Sequence, residues 1–457
     1  MSGEEPPRRL FCFAGGRLRP GRVRRSLTLA GLPPVLGRPG PGDLVGVWGR
    51  SPIAGRGERA AAARGAGLVR IEDAFLRSVH PGRAGDPPIG LMIDRTGGVH
   101  FDAAAPSALE TLLARAPLDE TALLDRARLG MARMAAADLS KYNAHDPAAE
   151  PPAPGYVLVI DQTRGDASVR FGGPAGEDGT AAFARMLGEA QADHPGARIL
   201  IRTHPETAAG LRPGHYGAAA AGGRVALLAG SLSPRAALAG AIAVYTVSSQ
   251  MGFDAILAGH RPVVYGRPFY AGWGLTDDRA GPIPRRGRSL TRAQLFAAAM
   301  ILAPTWYDPC RDRLCSFEEA LDQIEAEVRC WREDGRGHVA AGARLWKRGP
   351  LSRFYGRHRR LRFARDGAAA VGQAAATGRD VLVWGTTPVP PGAPVVVRRI
   401  EDGFLRSRGL GAELVPPLSL VADATGIYFD PAAPSDLEAL IAAGPPPGGE
   451  ARAERLI

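Results

Sequence analysis

The chain has little lysine, little cysteine and no long apolar run. Only two of its 57 basic residues are lysines, Lys141 and Lys347, so arginine carries nearly all of the positive charge. Four cysteines without paired spacing argue against a disulfide scaffold and against a cysteine zinc site. No run of about 18 apolar residues occurs, so no transmembrane helix is predicted, and the N-terminal segment lacks a signal-peptide core. We therefore expect a cytoplasmic protein.

The remaining composition is that of a globular protein. With 457 residues, 45% hydrophobic and 23% charged, the chain is expected to form about two to four packed domains. The net charge of +11 is carried by arginine, which suits the capture of phosphate and carboxylate groups but also fits a general surface habit. No basic block alternates with aromatic residues, so no nucleic-acid partner is expected.

Three blocks of sequence recur in the same order. They are RIEDAFLRS (70–78) and RIEDGFLRS (399–407), FDAAAPSALE (101–110) and FDPAAPSDLE (429–438), and VWG (47–49 and 383–385). The offsets of 329, 328 and 336 residues are far longer than a solenoid repeat, so each copy is expected to be an enzyme-sized module. The second copy, beginning near Asp380, is expected to be only the opening of such a module.

The first copy alternates short apolar strands with helices. Strands are predicted at LVGVWG, LVRIED, YVLVID, RILIRTH, RVALLA, IAVYTV and PVVYG, and a hairpin at PIGLMIDRTGGVHFD. This pattern is typical of parallel sheets covered on both faces. We expect an α/β fold of two Rossmann-type halves, residues 1–145 and 155–315, that face a cleft. A helical crossover and linker, 316–375, would lead to the partial second module, 378–457.

The first candidate cluster follows strand LVRI. Glu72 and Asp73 end this strand, and Arg77 comes four residues after Asp73. Adjacent residues on a strand point to opposite faces, so one carboxylate can meet a substrate while the other orients it. The alternative is an ordinary helix cap with an acidic first turn, but a cap does not require the recurring Phe-Leu-Arg-Ser.

The second candidate cluster follows strand YVLVI. It begins with Asp161 and Gln162 and continues through Arg164 to Asp166. A carboxylate at this point stands at the floor of the second half and faces the predicted cleft. Local Asx-turn hydrogen bonding is the alternative interpretation.

The third candidate cluster has residue types suited to phosphate. Arg202, His204 and Pro205 end strand RILI, and Ser248 with Ser249 opens helix QMGFDAILAG. An imidazole donates to a phosphoryl oxygen, and hydroxyls at a helix N-terminus form an anion site. A structural histidine and ordinary helix capping are the alternatives. The absence of a glycine-rich phosphate loop argues against a P-loop NTPase or a dinucleotide enzyme.

Several of these segments resemble KpsC-type capsular polysaccharide proteins, the β-Kdo transferases of capsule assembly. The resemblance is carried by RIEDGFLRSRGLGAELVPPLSLVADATGIYFDPAAPSDLE, DQTRGDASV, RTHPE and YTVSSQMGFDAILAGHRPVVYGRPFYAGWGLTDD. It implies paired GT-B-like modules, with an acceptor-side half followed by a donor half. It also implies transfer of the acidic keto sugar Kdo from CMP-β-Kdo, with retention, onto a lysophosphatidylglycerol-linked glycan.

The resemblance also implies roles for single residues. His204, Ser248 and Ser249 would hold the CMP phosphate, with Arg202 and Pro205 beside them. Asp161 is our candidate nucleophile, and Glu72 or Asp73 the candidate acid/base group. Arg77 or Arg164 would pair with the Kdo carboxylate, with Gln162 and Asp166 in the adjoining loop.

The sequence departs from the family pattern in two respects, and the resemblance also implies several partners. Ala74 stands where the second copy has Gly403, and the second copy has no counterpart of the motifs at 161, 204 and 248. One activity is therefore expected. No metal or cofactor is expected, and the inner face of the inner membrane and other capsule-assembly proteins are expected partners. The alternatives are transfer of another CMP-sugar and a non-catalytic polysaccharide- or lipid-binding relative.

Overall fold

The computed structural model describes residues 9–13, 20–174, 179–228, 230–409, 413–454 and 456–457. The chain forms two compact units, Met1–Ala326 and Glu327–Ile457. Among the described residues, no helix combines the length and the apolar character needed to cross a membrane.

The strands, in chain order, are β1 (Leu10–Cys12), β2 (Pro34–Val35), β3 (Leu44–Trp48), β4 (Gly67–Asp73), β5 (Gly90–Asp94), β6 (Tyr156–Ile160), β7 (Arg198–Arg202), β8 (Val225–Leu228), β9 (Ala241–Thr246), β10 (Val263–Val264), β11 (Asp277–Asp278), β12 (Pro304–Asp308), β13 (Arg313–Cys315), β14 (His338–Ala341), β15 (Arg362–Phe363), β16 (Asp380–Trp384), β17 (Val397–Asp402) and β18 (Leu420–Asp423).

The helices are α1 (Arg22–Leu29), α2 (Ala54–Arg64), α3 (Ala108–Arg115), α4 (Thr121–Ala136), α5 (Ala167–Gly172), α6 (Gly179–Asp193), α7 (Pro205–Ala208), α8 (Pro234–Ala239), α9 (Met251–Ala258), α10 (Arg292–Phe296), α11 (Phe317–Asp334), α12 (Arg348–Tyr355), α13 (Gly367–Thr377), α14 (Asp436–Ala443) and α15 (Gly449–Glu454).

The first sheet is mixed and its strand order is β13-β12-β5-β4-β3-β1-β2. The strands from β2 to β4 run parallel, whereas β4, β5, β12 and β13 pair antiparallel. Two expectations are therefore wrong: this sheet is not wholly parallel, and residues 304–315 belong to the first half and not to a second half of 155–315. The chain returns to the first sheet because β12 pairs with β5, a partner more than 200 residues earlier that local patterns do not reveal.

The predicted hairpin at 88–102 is also wrong, because only its first arm is a strand. Asp94 ends β5 and leads the chain away: its Oδ1 accepts the Thr96 backbone N–H at 2.8 Å, and its Oδ2 accepts that of Ala108 at 2.7 Å. The Ser107 hydroxyl accepts the Glu110 N–H at 3.1 Å and caps α3. The Thr-Gly-Gly sequence is thus a turn into a helix.

The second sheet, of order β11-β10-β9-β6-β7-β8, is parallel throughout, as predicted. Its central strand β6 is buried along its whole length, with α6 contributing Phe183 and Met186 on one face and α8 contributing Leu238 on the other. Each such buried side chain stabilises the fold by about 1.5–3 kcal/mol. The carboxyl ends of β6, β7 and β9 therefore meet at one edge of a rigid sheet.

The third sheet, in the unit Glu327–Ile457, repeats the first. Its order β15-β14-β16-β17-β18 matches β2-β1-β3-β4-β5, with the same parallel pairs and one antiparallel pair. The expected helical linker at 316–375 and a start near Asp380 are therefore wrong, since β14 and β15 already belong to this sheet. These strands have four and two residues, too few to produce a recognisable period-two pattern.

Candidate active site

A cavity of ≈ 490 Å³ lies between the two sheets of the first unit. Ten of the twelve candidate residues line it: Glu72, Asp73, Asp161, Gln162, Asp166, Arg202, His204, Pro205, Ser248 and Ser249. The other two, Arg77 and Arg164, do not. The three clusters come together because β4 of the first sheet and β6, β7 and β9 of the second end at the same cleft.

Asp161 is the carboxylate at the floor of the cavity. The residue is 2% exposed, and its Oδ1 accepts backbone N–H groups from Gln162 at 2.8 Å and His215 at 3.0 Å. Its Oδ2 has no hydrogen-bond partner among the described residues. Burial raises the pKa of Asp161, and the backbone N–H groups of His215, Gln162 and Tyr216, with the Arg164 charge, oppose that rise. One oxygen is thus fixed by hydrogen bonds, while the other is buried beside Gly214.

Gly214 makes room for this carboxylate. A Cβ at position 214 would lie 2.2 Å from Asp161 Oδ2, far inside contact distance. The isolated bridge between Thr163 and Gly214 brings this backbone against the loop after β6. Sequence reasoning did not identify Gly214, because a single glycine in a loop has many possible causes.

Ser248 belongs to a buried hydroxyl and amide network. The Gln162 amide donates to Ser248 Oγ and to Ser168 Oγ, both at 3.2 Å, and its Oε1 accepts the Ser248 N–H at 3.0 Å. Ser168 Oγ donates to Asp166 Oδ1 at 2.7 Å. Because Ser168 already uses its proton on Asp166, the Ser248 hydroxyl can donate to Ser168 Oγ at 3.1 Å, to Gln162 Oε1 at 3.5 Å or to a ligand in the cavity.

His204 presents a donor to the same region. Its Nδ1 accepts the Glu206 N–H at 3.1 Å, so in the neutral ring Nε2 carries the proton. Burial lowers the pKa of His204, which favours this neutral form over the cation. The ring thus supplies an N–H donor more readily than a positive charge.

Arg202 and Ser249 are two further candidate residues at the carboxyl edge of the second sheet. Arg202 is 8% exposed, and its Nη2 donates to the Leu232 carbonyl while Nη1 is buried without a partner among the described residues. Ser249 Oγ accepts the Met251 N–H at 3.2 Å, at the start of α9. A buried guanidinium donor and a helix N-terminus thus stand beside His204, which suits an anionic ligand.

The repeated Asp-Arg-Ser unit is a structural brace. Arg77 Nε donates to Asp73 Oδ2 at 2.6 Å, and Nη1 donates to Ser78 Oγ at 2.7 Å and to the Asp86 carbonyl at 2.8 Å. The second copy has the same contacts: Arg406 Nε donates to Asp402 at 2.8 Å, and its Nη1 donates to Ser407 Oγ at 2.6 Å. This shared brace is a physical reason for the recurrence of the block.

Arg164 and Asp166 also serve the loop that carries them. Arg164 is exposed and donates to the Gly214 carbonyl at 3.0 Å. Asp166 caps α5, accepting the Ser168 N–H at 2.7 Å. The Asx-turn alternative therefore holds for Asp166, whose carboxylate would also repel an acidic sugar.

The sequence analysis did not select four charged residues that line the cavity: Lys141, Glu206, Arg212 and Asp254. Lys141 projects from the segment after α4, and Asp254 from the first turn of α9. Burial raises the pKa of Asp254 to about 7, and the Lys141 charge opposes that rise. The rarity of lysine was the one signal that could have singled out Lys141.

Aromatic side chains join the two halves beside the polar groups. Phe75 stacks on Phe269, with ring centroids 4.2 Å apart, and its carbonyl accepts the Gln250 amide at 2.6 Å. His100 meets the Phe75 ring edge-on at 4.8 Å, and burial lowers the pKa of His100 to about 3. The ring is therefore neutral and acts as part of an apolar wall.

Comparisons with known proteins point in one direction. The family described as "Capsule polysaccharide biosynthesis protein" matches residues 142–304 and 392–454. The capsule polysaccharide modification protein LipA of Neisseria meningitidis serogroup B is 34% identical over 422 residues, which cover 87% of this chain. The lipopolysaccharide-processing protein LpsZ of Rhizobium meliloti is 36% identical over 265 residues, 57% of this chain. The chain spans 58% of the length of LipA and 59% of that of LpsZ.

Solved structures are similar as well. The Thermosulfurimonas dismutans KpsC β-Kdo 2,4 transferase matches with a TM-score of 0.64 and 30% identity, over 70% of this chain and 99% of that one. The β-Kdo 2,7 transferase of the same organism's KpsC matches in fold, with a TM-score of 0.52, 24% identity and the same coverage.

Two α/β halves that enclose a polar cavity give this chain the GT-B-like fold of the similar solved transferase. The similarity to a solved transferase extends over nearly all of that chain. The protein belongs to the KpsC-type family of capsule polysaccharide biosynthesis proteins.

Proposed function

We propose that this chain transfers Kdo from CMP-β-Kdo, with retention of configuration, to a lipid-linked Kdo acceptor of capsule assembly. The observation that carries the proposal is Asp161, a carboxylate that lines the cavity, with one oxygen fixed by two backbone N–H groups and the other buried without a hydrogen-bond partner among the described residues. The names of the similar solved transferases supply the sugar, and the family supplies the pathway.

Asp161 is the proposed nucleophile. Its Oδ2 attacks the anomeric carbon of Kdo while the bond to the CMP phosphate breaks, through an oxocarbenium-like transition state. The acceptor hydroxyl then attacks the same carbon and releases Asp161. Two displacements restore the original configuration. The leaving group arrives with the donor, so the reaction needs no cofactor.

Glu72 is the proposed acid/base group for the acceptor hydroxyl. Asp73 is held by Arg77 at 2.6 Å, which leaves Glu72 as the carboxylate of the pair that faces the cavity without this brace. Glu72 takes the hydroxyl proton in the second step. This division assigns the orienting role of the acidic pair to Asp73.

The CMP phosphate is proposed to lie against β7, β9 and the start of α9. The Nε2–H of His204, the hydroxyl of Ser248 and the free Nη1 of Arg202 are the donors, with Pro205 and Ser249 shaping the site. The half that contains β6 to β11 is accordingly the proposed donor half, and the first sheet carries the acceptor side.

The proposed acceptor is a lysophosphatidylglycerol-linked glycan, reached at the inner face of the inner membrane together with other capsule-assembly proteins. The arginine-based charge of +11 supports contact with an anionic lipid surface. The donor-binding residues named above all belong to the first copy of the repeat, so the proposed transfer is assigned to that copy.

Asp161→Asn tests the chemistry. Wild-type protein is incubated with CMP-Kdo and a synthetic Kdo-primed lipid, and the product is followed by mass spectrometry. We expect product from wild type and a loss of at least about 1,000-fold in the variant, because the amide is a poor nucleophile. Transfer by the variant near the wild-type rate would overturn the assignment. Product only with another CMP-sugar would overturn the proposed specificity.

His204→Ala tests the phosphate site separately. The loss of one donor to a charged group costs about 1.5–3 kcal/mol, so we expect the Kd for CMP to rise about 10- to 100-fold by calorimetry. His194→Ala is the matched control, because it removes another His-Pro imidazole that does not line the cavity. Equal CMP binding by both variants would exclude His204 from the site.

A further inference from the structure

We propose that Lys141 is a substrate-binding residue whose ammonium group pairs with the carboxylate of the acidic sugar. The inference rests on the proposed function, since it assumes a donor that carries a carboxylate beside its phosphate. It assigns that carboxylate to a residue outside all three sequence clusters.

The other cations near the cavity have different roles. Arg77 spends its donors on Asp73, Ser78 and the Asp86 carbonyl and does not line the cavity. Arg212 lines it, but its Nη1 lies 3.6 Å from Glu206 and its Nη2 donates to a backbone carbonyl at 2.9 Å. Arg202 stands with the proposed phosphate donors.

The backbone that carries Lys141 is held rigidly beside the acidic pair. The Lys141 carbonyl accepts the Ser78 N–H at 3.4 Å, and Asn143 N–H donates to the Val79 carbonyl at 2.8 Å. The fully buried Asn143 amide donates to the Ser78 and Ser140 carbonyls, both at 2.9 Å. The segment 140–143, here called the strap, is thus fixed by hydrogen bonds to the end of the recurring FLRS block. A binding residue needs such a rigid support.

The ammonium group itself is available. Lys141 makes no side-chain hydrogen bond and no ion pair within 4.0 Å to any residue that the structure describes, and its Nζ lies 5.6 Å from the Tyr142 ring centroid. Burial opposes its charge, but Tyr142 and the carboxylates of Asp73, Glu72 and Asp166 raise the pKa of Lys141 overall. The Lys141 ammonium group is therefore protonated and can donate three hydrogen bonds.

The second lysine of the chain provides an internal comparison. In the other unit, Lys347 Nζ lies 4.0 Å from Glu401 and 3.8 Å from Asp402, the counterparts of Glu72 and Asp73. It also lies 3.3 Å from the Trp384 ring centroid. Both lysines of an arginine-rich chain thus neighbour the repeated acidic pair. The Lys347 ammonium group already contacts two carboxylates and an aromatic ring, whereas Lys141 lines a cavity that can hold a ligand.

Charge balance supports the same role. The donor brings a phosphate and a carboxylate into a cavity that already holds Glu72, Asp73 and Asp161. Arg202, placed at the phosphate, does not neutralise the carboxylate at a different position on the sugar. A compact ammonium on the acceptor side neutralises the carboxylate without the planar reach of a guanidinium.

The experiment compares two ligands in a background that cannot turn over. CMP and freshly prepared CMP-Kdo are titrated calorimetrically into Asp161→Asn and into Asp161→Asn/Lys141→Met. Methionine keeps the unbranched stem and removes the charge. We expect Kd for CMP-Kdo to rise about 10- to 100-fold and Kd for CMP to change less than about 3-fold. Lys141→Arg keeps the charge, so on a logarithmic scale it should raise the Kd for CMP-Kdo less than half as much as Lys141→Met does.

Other outcomes overturn the assignment. Equal losses for CMP and CMP-Kdo would make Lys141 part of the phosphate site, and unchanged binding of both would remove it from the donor site. A lower kcat of Lys141→Met with an unchanged CMP-Kdo affinity would assign it to proton transfer at Glu72. Failure of the proposed function is seen separately, as transfer by Asp161→Asn alone or as no CMP-Kdo binding in that variant.

Discussion

At the scale of single residues, the site depends on what surrounds Asp161. Two backbone N–H groups hold one carboxylate oxygen, and the lack of a side chain at Gly214 leaves the other oxygen in place. A backbone donor can be removed only by proline, which also alters the backbone, whereas the space at Gly214 can be filled by a single methyl group. Gly214 is therefore a sensitive probe of the position of the carboxylate.

We predict that Gly214→Ala lowers transfer at least about 100-fold with little change in CMP affinity. The new methyl group would lie 2.2 Å from Asp161 Oδ2 and must displace it, and misplacement by about 1 Å costs roughly that factor. Gly217→Ala is the control, because nothing lies within 4 Å of a Cβ there. Product formation and CMP titration give the two readouts; equal activity of the two variants would contradict the prediction.

Asp254 predicts a dependence of stability on pH. Its pKa of about 7 in the folded chain lies above the ordinary value of 3.8, so between about pH 4 and 7 the folded state holds a proton that the unfolded state has lost. Stability from this group therefore falls as the pH rises through that window.

We predict that Asp254→Asn stabilises the protein at pH 8 by about 1–3 kcal/mol and has much less effect at pH 4. The amide avoids the burial of a charge, and that burial occurs only at the higher pH. Thermal unfolding of wild type and variant at both values measures it. Asp125→Asn, at a side chain that is 64% exposed, is the control and should show no such difference.

At the scale of elements, the recurring block positions the acidic pair and does not itself bind the sugar. In each copy the strand ends in Glu-Asp, and the following arginine returns to the aspartate and to the next serine. In the first copy that serine also receives the strap that carries Lys141. The brace thus links the end of β4, the loop that contains Arg77 and Ser78, and the segment that carries Lys141.

Removing the brace should destabilise the first copy more than the second. We predict a loss of about 3 kcal/mol for Arg77→Ala, because Asp73, whose side chain is 17% exposed, loses an ion-pair partner that is only 7% exposed. Arg406→Ala should cost less than half of that, since its side chain is 19% exposed and Lys347 remains 3.8 Å from Asp402. Urea unfolding of both variants gives the comparison, and a larger loss for Arg406→Ala would contradict this account.

At the scale of the whole molecule, the two units share a sheet order, but equivalent residues differ in their burial and in their partners. Phe75 is 3% exposed in the first unit, where Phe269 of the loop between β10 and β11 stacks on it, whereas its counterpart Phe404 is 72% exposed. Glu110 accepts from the buried Arg286 at 2.7 Å, whereas its counterpart Glu438 takes part in the capping box of α14. The first unit couples its halves through these residues.

We predict a matching difference between two phenylalanine substitutions. Phe75→Ala should lose about 3–5 kcal/mol, because it leaves a cavity between stacked aromatic rings. Phe404→Ala should change stability by less than about 1 kcal/mol, since most of that ring already meets water. The midpoints of chemical unfolding separate the two, and similar losses would contradict the comparison.

The sequence by itself determined what depends on neighbouring residues. Short, nearly all-apolar strands between helices predicted the second sheet, and the ordered blocks predicted the duplication that the matching sheet orders bear out. Polar residues placed at strand ends predicted ten residues that line one cavity, because parallel strands end at a common edge.

Only the tertiary structure decided what depends on distant partners. The return of β12 to β5, the start of the third sheet at β14 and the seating of Lys141 beside Glu72 join segments far apart in the chain. Arg77 is a different case, because its partners Asp73 and the Asp86 carbonyl are near in the chain, yet only the folded loop shows that they take up its donors. Local patterns report propensity, whereas such pairings depend on which buried surfaces and charges meet once the chain is packed.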